Sequence, residues 1–422
     1  MLAAGDFKEK VKPVVKKNAG PTSVEALMPI SFDKKTIILD SEVLELLGGS
    51  KETIKTVAER EFDNFRLFGW FANEDVPEAL QPLLRWYSGI VTPLVADARD
   101  AVFITHMLFF LVTVVPSAIG LMLSFSWPHA ICHTVFLGVF IAPFILMLHC
   151  MCHRKIASKD HPWVEGVVHW VLSPFMGETW NTFYFHHVKH HHVEDNGFED
   201  LSSTIWYDRD NAFHFAIYFF RFYLLCIIEL PIYFIRKRKF KWAAYLLCGE
   251  FGTFAMYGFW FWMFPQNTLG VVFAWIVPFN LARFGMMSGN WAQHAFVQPD
   301  DPKNDYKTSL TCISTFYNLN CFNDGYHTSH HLNPLRRWDD HPAHFVEQAD
   351  VYKKQTVVVF KDIDFHGIWV MLMTKDYDGM AKHFVQLGDG DKMSHDEVKA
   401  FLKMRTRHLT KQNIDKHYPQ KA

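Results

Sequence analysis

Histidine is gathered into four short clusters. The first is His149-Cys-Met-Cys-His153. The second is the run HHVKHHH from His186 to His192. The third is Asn290-Trp-Ala-Gln-His294, and the fourth is His327-Thr-Ser-His330-His331. On a helix, residues i and i+4 share a face, so His149 and His153 can point at one site, as can His327 with His330 and His331. Neutral imidazole suits iron among the first-row metals. Several such pairs, converging from different helices, can hold two irons without carboxylates. Each cluster alone also has a plain reading. A histidine pair at a span end is often interfacial, and a histidine run can be a surface tract for zinc or nickel. Together, beside apolar spans, they read as one metal site.

Long apolar runs must position them. Residues 101–125 and 130–148 are each close to the roughly 20 residues that cross a ~30 Å hydrocarbon core. The turn SWPHA at 126–130 is so short that the two runs form a hairpin, and His149 falls where the second leaves the membrane. Three more apolar stretches follow, at 213–235, 242–264 and 269–287. All clusters must meet on one membrane face, so the chain crosses an even number of times between His192 and His294. One of the three stretches therefore does not cross. The stretch 213–235 carries Arg221 and Glu229 and ends in the basic run RKRKFK. Each such charge costs roughly 2.5 kcal/mol or more at the bilayer centre. That stretch is expected to lie in the interface, as amphipathic anchors do. Stretch 242–264 then crosses outward and 269–287 returns.

The expected fold is an all-α integral membrane protein. Four transmembrane helices form two hairpins, with interfacial helices and a cytosolic cap that carries the histidine-rich diiron site. Residues 1–95 read as a cytosolic N-terminal region, 96–345 as the membrane domain with the histidine boxes, and 346–422 as a cytosolic C-terminal region. In the first, 37–48 and 51–62 read as short ordered elements separated by Gly48 and Gly49. Residues 77–100 read as an amphipathic helix broken at Pro82 and Pro93. In the last, Ser394-His-Asp-Glu397 reads as a capping box ahead of a helix, and GDGD at 388–391 as a turn. IWVMLM at 368–373 is too short to cross.

Composition narrows the function further. Lys and Arg total 42 against 44 Asp and Glu, a net charge of −2, which gives no footing for nucleic acid. A mean hydropathy of −0.01 conceals the contrast between a greasy middle and polar ends. Seven scattered cysteines, an odd number, fit a reducing compartment rather than a disulfide framework. The Lys-rich N-terminus lacks an apolar core, so it does not read as a secretory signal, and an internal span would serve instead.

The ordered series H-x3-H, H-x3-H-H, N-x3-H, H-x2-H-H resembles the membrane fatty acid desaturase superfamily, which includes the bacterial alkane hydroxylases. The likeness covers roughly residues 100–345. HCMCHRK is similar to the hydroxylases' first box, with Arg154 at their Lys position. HHVKHHHVEDNGFED, ending in Glu199-Asp200, resembles their second box and its acidic pair. NWAQH is similar to their Asn-aromatic-x-Glu-His, and HTSHHLNP to their last box. The N-x3-H element is shared with stearoyl-CoA desaturases.

The resemblance implies nine metal ligands: His149, His153, His187, His191, His192, His294, His327, His330 and His331. Asn290 would act from the second shell or through water. His187, His190 and His191 also satisfy H-x2-H-H, and on an unbroken helix they share a face better. The register ending in His191–His192 is preferred because it sets Glu199 and Asp200 at the family's usual distance. The implied cofactors are two iron ions, with dioxygen as co-substrate and an external electron donor. No His-Pro-Gly-Gly haem segment occurs in the chain, so a separate electron carrier of cytochrome b5 or ferredoxin type is the expected partner, beside a lipid or acyl substrate and the membrane. The expected location is the endoplasmic reticulum, with both termini cytosolic. Desaturation of a fatty-acyl chain is the first expectation, and hydroxylation of an alkyl chain or fatty acid the second. A metal-binding membrane receptor without catalysis, or a bis-histidine haem carrier, is the remote third. Cys150 and Cys152 read as packing. GFWFWMF at 258–264 reads as packing or as the lining of an acyl tunnel. Arg336 and Arg337 have three readings: an anionic head group, a lipid phosphate, or no ligand.

Overall fold

Two apolar runs separated by a three-residue link can only fold back on one another. In the computed structural model, which describes Val43, Leu47 and residues 77–387 and 392–419, they do so. The described residues all belong to one unit. Helix α1 (Gln81–Val91) has proline in its first turn and stops short of Pro93. Helices α2 (Ala101–Leu123) and α3 (Trp127–His153) make the first hairpin. Aromatic side chains interlock along it, Phe109 on Phe136 and Phe140, and Phe110 edge-on to Phe144.

Helix α4 (Ala212–Arg236) follows the second box, then α5 (Phe240–Met263). A turn at Pro265–Asn267 leads into a helical run that ends as α6 (Val277–Gln293). The Asn267 amide donates to the carbonyls of Leu121 and Met122 at 2.7 and 2.6 Å. The second hairpin therefore turns at the same end as the first, opposite His149 and His294.

By length and hydropathy, four helical stretches among the described residues can cross a membrane: Ala98–Leu123, Trp127–His153, Ala212–Arg236 and Pro265–Gln293. The number agrees with the expectation, but the membership differs. Ala212–Arg236 qualifies, and the expected 242–264 does not. Trp, Tyr and Gly pull down the hydropathy of α5, although Lys241 and Glu250 are its only charged residues. The contacts at the helix ends bear on the choice between the two. Both ends of α4 are tied to the cap. At its start, Arg209 donates to the carbonyls of Arg405 and Arg407. At its end, Arg236 and Lys237 pair with Glu199. Helix α5 instead starts beside Lys189 of the second box, which lies over Trp242, and ends with Trp260 stacked on Trp275 near the far turn. We read α4 as lying along the interface and α5 as crossing. In a background without the exposed Cys132 and Cys248, Lys239→Cys is expected to react only with reagents on the side of the histidines, and Gln266→Cys only from the other. Labelling of both from one side would overturn this arrangement.

The segment between the first two boxes packs in among the apolar helices and returns to the histidine end. Trp163–Gly166, Val167–Leu172 and Ser173–Phe175 run on as one helical stretch with a π turn in its middle. Phe175 then packs on Trp275 at 4.4 Å. Gly177, at φ 86°, lies against the backbone of Pro278, where a Cβ would come within 2.1 Å of the carbonyl. Pro278 is 16 residues before His294 along the chain, about 24 Å of helix. Gly249 of α5 admits the Trp180 carbonyl equally closely. Irregular backbone at this depth is tolerated because protein surrounds it. Glu250 holds it there, accepting hydrogen bonds from Thr179, Thr182 and Arg283. The Glu250–Arg283 pair is buried and 3.1 Å apart, so neither charge faces lipid alone.

The cap is helical except for a parallel strand pair, β1 (Leu310–Ile313) beside β2 (Val358–Lys361). It includes α7 (His327–Leu332), which bears the fourth cluster, and α8 (Phe365–Thr374), which packs on α6 and is too short to cross. The capping box forms at the start of α9 (His395–Arg405). Residues 51–62 and 388–391 lie outside the described residues, as do most of 37–48.

Candidate metal centre

The first box ends α3, so His149 and His153 leave the membrane on one face. The second box is on a π-helix, Tyr184–His191. Its i→i+5 bonding widens each turn by a residue, and such turns are frequent at functional sites. The effect here is specific. His187 and His192, five apart, meet with their Nε2 atoms 3.0 Å apart, while His191 turns to a different set of partners. The third box ends α6 at His294, and the fourth occupies α7.

The nine histidines fall into two groups. In one, ring nitrogens of His149, His153, His187, His192 and His330 all lie within 4.8 Å of one another. The Nε2 of His330 is 3.0 Å from that of His149 and 2.8 Å from that of His192. In the other, His191, His294 and His331 meet the same limit. His327 joins them, its Nε2 3.2 Å from that of His294. The rings of His191 and His192, 5.7 Å apart, put the groups side by side.

Outer partners fix the ring orientations. The Nδ1 of His191 is 2.7 Å from Asp200, that of His331 3.0 Å from Asp195, and that of His149 3.3 Å from Asp324. The Nδ1 of His294 donates to the Thr308 carbonyl at 2.9 Å. Each contact directs Nε2 inward, the arrangement by which outer partners orient metal-binding imidazoles. Asp200 is itself braced by the Asn196 and Ser202 amides and the Ser202 hydroxyl. Of these acids only Asp200 stands out in the sequence, as half of the acidic pair. Asp195 and Asp324 carry no motif; their role depends on where the chain returns. A further grouping, Asp195 with Asp305 and His331, lies on the outer side of His331.

Burial, reinforced by neighbouring imidazoles, holds His187, His192, His294, His327 and His330 well below the usual histidine range. That direction favours the neutral ring, which keeps a lone pair for a metal. Burial also opposes charge on His191, but Asp200 outweighs it and raises that pKa. In return His191 holds the buried Asp200 well below the usual carboxylate range. The Nε2 atoms of His153, His191 and His331 are buried without a hydrogen-bond partner. Unsatisfied buried nitrogens facing one another are costly. A cation between them removes that cost, so the donor set fits a metal in each group.

The other named residues stand outside the groups. His190 accepts from the Leu201 amide at 2.9 Å and meets the Tyr233 ring. Asn290 donates to the Ser202 carbonyl and the Tyr218 hydroxyl, which places it one step behind Asp200 and His191. Glu199, the other acid of the pair, faces Arg236 and Lys237 rather than a histidine.

A family model described as fatty acid desaturase matches residues 124–362, more than half of the chain. The chain belongs to the fatty acid desaturase family. The matched region holds all four histidine clusters, helix α4 and both strands of the cap. Membership makes the chain an oxidoreductase family member acting on lipid in a membrane. No curated protein matches it at a meaningful level.

Proposed function

We propose that this family member oxidises an acyl or alkyl chain with dioxygen at a diiron site, and that introduction of a double bond is its reaction. His149, His153, His187, His192 and His330 would hold one iron, and His191, His294, His327 and His331 the other. The observation that carries the reading is the two adjacent sets of inward-facing imidazoles. When bound, the irons supply oxidising power toward an unactivated methylene. The protein supplies the rest. Asp195, Asp200, Asp324 and the Thr308 carbonyl fix ring orientation, and the surrounding helices keep water from the histidines. Electrons come from a separate carrier.

Hydroxylation is the second reading, favoured by Asp200 on His191, because the acidic pair after the second box is part of the hydroxylase likeness. We infer a site on the cytosolic face of the endoplasmic reticulum, a reading that the basic run at the end of α4 supports. Expression in a host with a simple lipid profile, followed by mass spectrometry, is expected to reveal new double bonds, or new hydroxyls under the second reading. Purified protein is expected to hold about two irons per chain. Stoichiometric zinc without iron, in protein made with iron present, would refute both and leave a metal-binding receptor.

A further inference from the structure

Two adjacent arginines follow the last box, and the fold uses them differently. Arg337 is saturated, pairing with Asp97, Asp100 and Asp339 at 2.8–3.0 Å. Arg336 is half-buried and has no carboxylate within ion-pair distance among the described residues. Its one guanidinium nitrogen with partners donates to the Ser329 carbonyl and hydroxyl at 2.7 and 2.6 Å. Burial works against its charge, only partly offset by Asp340 and Glu347 beyond ion-pair distance, and a half-buried cation without a directly paired carboxylate is costly. Arg336 lines a cavity with about 30 Å³ of free space. Arg154 also lines it, and among the described residues its only ion pair is a 3.8 Å approach to Asp100, which Arg337 already occupies. Leu146, Phe322 and Trp338 supply apolar wall, and His149, His153 and His330 form the inner end. The one acid in the lining, Asp324, is engaged by His149, Gln293 and Tyr317.

We propose that Arg336, with Arg154, receives the carboxylate head of the substrate, so that the carbons next to the head face His149, His153 and His330. This rests on the reading above and narrows it to an anionic-headed chain attacked near its head. The free space admits roughly two water-sized groups, which suits a carboxylate better than a phosphate. Arg offers the planar fork that matches carboxylate geometry.

Calorimetric binding of decanoate, decyl phosphate and decanol to the detergent-solubilised holoenzyme tests this, with the positions of new double bonds or hydroxyls mapped for each. Decanoate is expected to bind tightest. Arg336→Gln should weaken decanoate roughly tenfold to a hundredfold, leave decanol unchanged, and Arg336→Lys should recover part of the loss. Oxidation is expected beside the carboxyl. Equal binding of decanoate and decanol to the unaltered protein would overturn the proposal, and needs no variant to fold. So would unchanged decanoate affinity in Arg336→Gln, tighter binding of decyl phosphate, or oxidation at mid-chain. Failure to oxidise any chain would instead count against the proposed function, since binding alone still judges the head-group site.

Discussion

His192→Ala is expected to abolish turnover, while His190→Ala keeps a substantial part of it. His190 lies on the π-helix and His192 directly follows its last residue, two positions on; on an unbroken α-helix His190 would be the better companion of His187. The wider turn reverses that. His192 lies 3.0 Å from His187 and 2.8 Å from His330, in the middle of the five-histidine group. His190 already accepts from the Leu201 amide and takes no place in either group. On the proposed function, loss of His192 removes metal; loss of His190 leaves the Leu201 amide without its acceptor, roughly 1–3 kcal/mol of stability. Iron content and product formation, measured on both variants, check this. An inactive His190→Ala beside an active His192→Ala would return the site to the His187, His190, His191 register.

His294→Ala is expected to be equally severe, although its cluster is the thinnest of the four. The residue is fully buried at the end of α6, with Nδ1 tied to the Thr308 carbonyl and Nε2 facing His327. Its removal leaves His191, His327 and His331 around a gap, while the five-histidine group stays whole. Iron should fall from about two per chain to about one, and activity should vanish. Full activity with two irons would remove the third cluster from the site.

Much of the histidine arrangement is legible in the sequence because the clusters are placed by span ends. A span of known length fixes where His149 and His294 emerge, and parity then fixes which side they share. The His191–His192 register could be chosen only through the spacing to Glu199 and Asp200. Its structural cause, a π-helix, has no residue signature, since HHVKHHH is compatible with either winding. Asp195 and Asp324 were beyond reach for another reason. An isolated aspartate acquires meaning only from the imidazole brought to it, over 136 residues in the case of Asp195 and His331. Residues 163–182 gave no sign of their depth, because their polar groups are answered by Thr253, Glu250 and Arg283, far along the chain.

The clamp around Glu250 also orders events during synthesis. Thr179 and Thr182 emerge from the ribosome roughly 70 to 100 residues before Glu250 and Arg283, the two groups that hold them in place. Until both later helices are inserted, the segment leading into the second box has no partner for its buried hydroxyls, and the winding that separates His191 from His192 has no fixed base. The histidines of the first two boxes are made early but are assembled late. Under the proposed function, iron would therefore enter an otherwise finished membrane domain, and a chain stalled before Arg283 would expose a run of histidines with no defined site for it.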